Sequence, residues 1–176
     1  MGLILIYTGD GKGKSSAGFG QAIRALGHGG RVKVAQFIKQ GPPALTSGEH
    51  TVLTSLGVEW VNWGAGFTWI EGNDEKNRLL AREGWQQLKE WIEGGQCDLI
   101  VADEFTYTLN FGYLDLSEVV SYLSEQRKKP TFPHFVITGR SAAEELIAIA
   151  DMVSSVEMVK HHLYDNNQEF QAMIEF

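Results

Sequence analysis

The stretch Tyr7-Thr8-Gly9-Asp10-Gly11-Lys12-Gly13-Lys14-Ser15-Ser16 packs three glycines, two lysines and two adjacent hydroxyls into ten residues. Residues of these types hold polyphosphates. Gly9, Gly11 and Gly13 let the backbone approach an anion closely, Lys12 and Lys14 supply point charges, and the start of a helix adds partial positive charge. The common phosphate-binding loop reads G-x-x-x-x-G-K-[ST]. Counting back from Gly13-Lys14-Ser15, its first glycine belongs at position 8, where Thr8 stands; Gly9 comes one residue late. A purely structural turn would use the glycines but gain nothing from the lysines. The loop is therefore expected to bind phosphate, from Gly9 to Ser16.

A nucleotide site also needs a carboxylate at the end of a neighbouring strand. The run Leu99-Ile100-Val101-Ala102 ends in Asp103-Glu104. With the Ser15 hydroxyl, either acid suits Mg2+, which takes hard oxygen ligands; spacing does not choose between them. A third cluster is aromatic. All five tryptophans lie between Trp60 and Trp91, and Trp60, Trp63, Phe67 and Trp69 share the glycine-broken stretch "EWVNWGAGFTW". Such a stretch can wall a large flat ligand, although composition alone favours core packing under a long loop. Trp60, on an expected strand over 58–61, is assigned to the core.

These groups need a scaffold, and short apolar runs alternating with longer amphipathic ones describe it. Strands are expected over 3–7, 32–38, 99–102, 134–138 and 152–158, with a short edge strand within 169–176. Helices are expected over 15–26 and 74–92, from Asp115 with Glu118 as an approximate capping box, and from Ser141 with Glu144 as a second box. Residues 39–50, with Pro42-Pro43 and Gly48, read as a loop. Continuous apolar strands alternating with helices imply an α/β fold, a mostly parallel sheet covered on both faces.

The chain has 176 residues, 43% hydrophobic and 21% charged. That suits one domain, 1–176, with a full core. A net charge of -7 argues against nucleic acid as a general partner. The single cysteine, Cys97, leaves no internal disulfide, as expected in a reducing compartment. No apolar run reaches the roughly 20 residues that span a bilayer, and the first residues lack a basic leader. A cytoplasmic protein, with neither membrane nor nucleic acid as partner, is expected.

Taken together, these segments resemble the corrinoid adenosyltransferases of the CobA/CobO/BtuR family. The likeness runs over nearly the whole chain. It is carried by "TGDGKGKSS", "RALGHGGRVKVAQFIK", "SGEH", "GFTW", "VADEFTY", "VITGRSAAEELIAIADMVS", "VKHH" and the terminal "IEF", in that order. The resemblance implies a RecA-like P-loop fold, usually a homodimer. It also implies transfer of the 5′-deoxyadenosyl group of ATP to the cobalt of cob(I)alamin or a related corrinoid, with triphosphate leaving. Cobalt(I) attacks C5′ directly, so no general base is needed, and His28, His161 and His162 are assigned surface or structural places. The late first glycine then belongs to a loop that grips a leaving group.

In this reading Gly9, Asp10, Gly11, Lys12, Gly13, Lys14, Ser15 and Ser16 cradle the triphosphate. Lys12 and Lys14 neutralise charge as it departs. Ser15 and Glu104, with Asp103 as the lesser candidate, hold Mg2+, and Arg24 matches a family arginine near the nucleoside. Phe67 and Trp69 match aromatics that pack where the lower axial ligand of the corrinoid would sit, which eases reduction of cobalt(II). A reduced flavoprotein is the implied electron donor.

The chain also departs from the family pattern. Asp10 replaces Asn in some members, Ser15-Ser16 replaces the commoner Thr-Thr, and Met173 stands where many members have glycine. The chain opens directly on its first strand, so the expectation is a corrinoid pocket closed without the N-terminal extension of longer members. Two other functions fit the loop. One is an ordinary P-loop kinase or ATPase, which would release ADP or phosphate. The other is a non-catalytic protein that binds ATP and a corrinoid.

Overall fold

Residues alternate between two buried faces along every central strand, and this dictates a sheet sandwiched by helices. The computed structural model describes residues 2–39, 47–66, 73–166, 169, 171 and 173–174. The strands are β1 (Ile4–Thr8), β2 (Val32–Phe37), β3 (Glu59–Trp63), β4 (Leu99–Asp103), β5 (His134–Thr138) and β6 (Met152–Ser155). Between and after them come α1 (Lys14–Gly27), α2 (Gly48–Ser55), α3 (Asn73–Gly94), α4 (Phe105–Asn110), α5 (Leu116–Gln126), α6 (Glu144–Ala148) and α7 (His162–Asn166).

The strands form one six-stranded sheet in the order β3-β2-β4-β5-β1-β6. All its pairings are parallel. Ile4, Ile6, Ala35, Phe37, Ile100, Ala102, Phe135 and Ile137 face one side, against Trp85, Leu88 and Ile92 of α3 and Leu123 of α5. Tyr7, Val32, Val34, Leu99, Val101 and Val136 face the other, against Phe19 and Ala22 of α1 and Leu53 of α2. Burial on both faces is why these strands read as unbroken apolar runs.

The structure refines several expectations. The Asp115 side chain does cap α5, accepting the Glu118 N–H at 2.9 Å. Ser141 does not cap α6: it sits at φ 50, and the N-cap is Ala143, with no side-chain hydrogen bond. The expected strand over 152–158 stops at Ser155. The loop expected over 39–50 gives way to α2 at Gly48, capped by Ser47. The described tail residues form no strand; Ile174 N–H bonds to the Gln171 carbonyl in a turn. Trp60 packs 5.0 Å from Phe19, centroid to centroid, as core.

Asn77 of α3 is fully buried and ties down the chain that leaves β3. Its Oδ1 accepts the Ala65 N–H at 2.8 Å, and its Nδ2 donates to the Gly66 carbonyl at 3.0 Å. Substituting Asn77→Ala strands a buried N–H and a carbonyl. The expected cost is about 2 kcal/mol, seen as a fall of roughly 4–8 °C in melting temperature by calorimetry. An unchanged melting temperature would contradict this role.

Candidate functional site

The phosphate loop and the acid pair lie at the carboxyl edge of the sheet or just beyond it, where parallel α/β sheets bind ligands. The loop after β1 turns at Gly13, φ 108, which caps α1. It lies tight against the chain leaving β6. The Gly11 N–H bonds to the Val156 carbonyl at 2.8 Å, and a Cβ on Gly11 would sit 2.4 Å from the Glu157 carbonyl oxygen. Any larger residue at 11 would push the loop off β6.

Lys14, in the first turn of α1, is buried, and its Nζ donates to the Gly11 carbonyl at 2.6 Å. Burial, and next the Arg140 guanidinium, hold its pKa below the ordinary lysine value, with Glu104 and Asp10 pulling the other way. A polyanion in the loop would reverse that balance. Lys12 and Ser16 are exposed on the same loop.

Asp103 ends β4 and is fully buried. It was expected on a strand neighbouring β1, but β5 lies between them. Thr138, at the end of β5, bridges the gap. Its hydroxyl donates to Asp103 Oδ1 at 2.6 Å and accepts the Glu104 N–H at 3.0 Å. Gln36 of β2 donates to Asp103 Oδ2 at 2.8 Å, and Asn62 of β3 donates to Gln36 Oε1 at 2.8 Å. Ser15 lies close enough to help hold the Asp103 carboxyl down, so the loop hydroxyl and the strand-end acid are neighbours, as the nucleotide reading requires. Burial pushes the Asp103 carboxyl up, but Lys39, the bonds from Gln36 and Thr138, and the nearby Ser15 more than offset it, and it stays below the usual carboxylate range.

Glu104 takes a left-handed backbone, φ 58, at the N-cap of α4. That conformation is unusual for a residue with a side chain. Its Oε1 lies 3.3 Å from Lys39 Nζ, and its Oε2 is buried with no hydrogen-bond partner. Burial and then the Asp103 charge raise its pKa. An orphaned buried carboxylate oxygen beside a serine hydroxyl and a second acid forms a hard-oxygen donor set that fits Mg2+. Among the described residues no group of three or more His, Cys, Asp or Glu side chains gathers into a metal site.

Four participants escaped the sequence reading: Thr138, Gln36, Lys39 and Arg140. Arg140 Nη2 donates to the Asp10 carbonyl at 3.3 Å, and its Nε lies 4.0 Å from Asp10 Oδ1. It therefore offsets the acid that departs from the family pattern. An arginine one residue past the glycine that ends a strand, "TGR", was the available signal. Arg24 is not brought to this cluster: it is exposed in the last turn of α1, bonded to Gln21, about 15 Å along the helix from Lys14. Phe67 and Trp69 lie outside the described residues. His28 follows α1, exposed, and His161 and His162 stack on each other at the start of α7.

A sequence model of the family described as ATP:corrinoid adenosyltransferase BtuR/CobO/CobP matches residues 1–176. A corrinoid adenosyltransferase of Escherichia coli K12 is 39% identical over 175 residues, 99% of this chain and 86% of the relative. The corrinoid adenosyltransferase CobA of Salmonella typhimurium LT2 is 38% identical over the same shares. One from Pseudomonas aeruginosa is 36% identical over 162 residues, 91% of this chain and 77% of the relative.

Proposed function

Because the chain belongs to the ATP:corrinoid adenosyltransferase family, we propose that its carboxyl-edge loop and acid pair grip the triphosphate of ATP while a reduced corrinoid displaces it. The enzyme transfers the adenosyl group of ATP to a corrinoid. The observation that carries the site assignment is the buried, unpartnered Oε2 of Glu104 next to the fully buried Asp103.

The residues divide the work. Gly9 to Ser16 wrap the polyphosphate with backbone N–H groups. Lys14 and Lys12 balance the charge that grows on the leaving oxygen, and Arg140 screens Asp10. Mg2+, bound to Ser15 and Glu104, would neutralise phosphate charge. Asp103, its oxygens already bonded by Gln36, Thr138 and Lys39, orients the nearby serine. The free Oε2 of Glu104 supports that division. Arg24 is assigned to the nucleoside, and Phe67 and Trp69 to the dry wall beneath the corrin. We assign the whole chain, 1–176, to one adenosyltransferase domain that works as a cytoplasmic homodimer and accepts electrons from a reduced flavoprotein. No described helix is long and apolar enough to cross a membrane.

The test is an anaerobic incubation of the protein with ATP and chemically reduced cobalamin. The expected result is a light-sensitive alkylcobalamin spectrum with one inorganic triphosphate per turnover. ADP, orthophosphate or diphosphate without corrin alkylation would overturn the assignment.

A further inference from the structure

Lys39 sits immediately past β2, in a turn that aims it at the acids. Ile38 adopts φ 63, an unusual conformation for a β-branched residue. The turn is pinned by the Lys39 N–H on the Phe37 carbonyl at 2.6 Å and the Gly66 N–H on the Ile38 carbonyl at 2.9 Å. The ammonium lies 3.4 Å from Asp103 Oδ2 and 3.3 Å from Glu104 Oε1. Asp103 is held more firmly than the lysine. Asp103 is fully buried under hydrogen bonds of 2.6–2.8 Å from Thr138 and Gln36, whereas the Lys39 side chain is 46% exposed and its two contacts are long.

We propose that Lys39 is an internal counter-cation of the acid pair, which a divalent metal must displace and which then turns to the polyphosphate. This rests on the reading of Ser15 and Glu104 as the metal site, with Asp103 beside them. Two cations cannot share one pair of carboxylates at these distances without strong repulsion. A metal held by Ser15 and Glu104, beside the fixed Asp103, would displace the half-exposed ammonium. Lys39 lies close enough for its charge to act on Lys14, so the nearest new anion for it is the phosphate chain in the loop. Lys39 thus makes metal binding by the empty loop costly and couples it to the arrival of nucleotide. It acts as a positioning residue.

The probe is Mn2+, with free ion followed by electron paramagnetic resonance, first without nucleotide and then with ATP. Substituting Lys39→Met should lower the Mn2+ midpoint without nucleotide about tenfold, a small part of the attraction between charges this close. A wild-type midpoint beyond the measurable range counts as that gain. Lys39→Arg, which keeps the charge, should stay within about twofold of wild type. If Lys39→Met does not fold, Lys39→Gln carries the same expectation as an uncharged hydrogen-bonding replacement. An unchanged or weaker midpoint in the folded uncharged variant overturns the proposal. Glu104→Gln separates the two readings. If it leaves Mn2+ binding with ATP unchanged, the metal-site reading fails; if it weakens binding while the uncharged Lys39 variants gain nothing, only the counter-cation fails.

Discussion

Lys14→Ala is expected to lower kcat/KM for ATP about 10²–10³-fold, the loss typical of removing one preorganised group that stabilises a developing anion. In the structure the ammonium is buried, bonded to the Gly11 carbonyl, and faces the second cation, Arg140. Two cations held close together at a loop that offers backbone N–H groups are poorly matched to water and well matched to a polyanion. The charge on a departing triphosphate grows toward the transition state, so kcat should fall more than KM rises. The substitution removes a charge that burial and the Arg140 guanidinium already disfavour, so the fold should survive; circular dichroism and a melting curve check this. Activity within tenfold of wild type in the folded variant would take Lys14 out of the mechanism.

The second large effect is a split between two assays. Trp69→Ala should slow turnover from cob(II)alamin with a reductant by about 10–100-fold, the range for disturbing the shell that sets solvent access around a metal. With chemically supplied cob(I)alamin the loss should be only a few-fold if, as proposed, the wall keeps a fifth ligand off cobalt(II) and eases its reduction. Equal losses in the two assays would mean that Trp69 only helps bind the corrinoid. The buried Asn77, by fixing Ala65 and Gly66 just ahead of Phe67 and Trp69, gives this segment a rigid point of departure.

Much of this protein could be read residue by residue. The loop at 9–16 carries its chemistry in adjacent residues, and the strand before it and the helix after it follow from local apolar period. Asp115 capped its helix because a cap is a contact between residues three apart. Ser141 failed by the same logic: its left-handed backbone, set by the turn after β5, carries it out of capping position. The short helix α4 went unread because it follows Asp103-Glu104 without a usual cap; it begins from the left-handed Glu104.

What the amino-acid order determined alone was the set of parallel-sheet elements, the phosphate loop and the pair of acids, because each rests on neighbours in the chain. The tertiary structure decided which groups meet those acids. Gln36 and Lys39 reach Asp103 from 67 and 64 residues away, Thr138 from 35, and Arg140 reaches Asp10 across 130. Strand order sets those meetings. A parallel sheet joined by helical crossovers can place β5 between β1 and β4 without altering the local period of any strand.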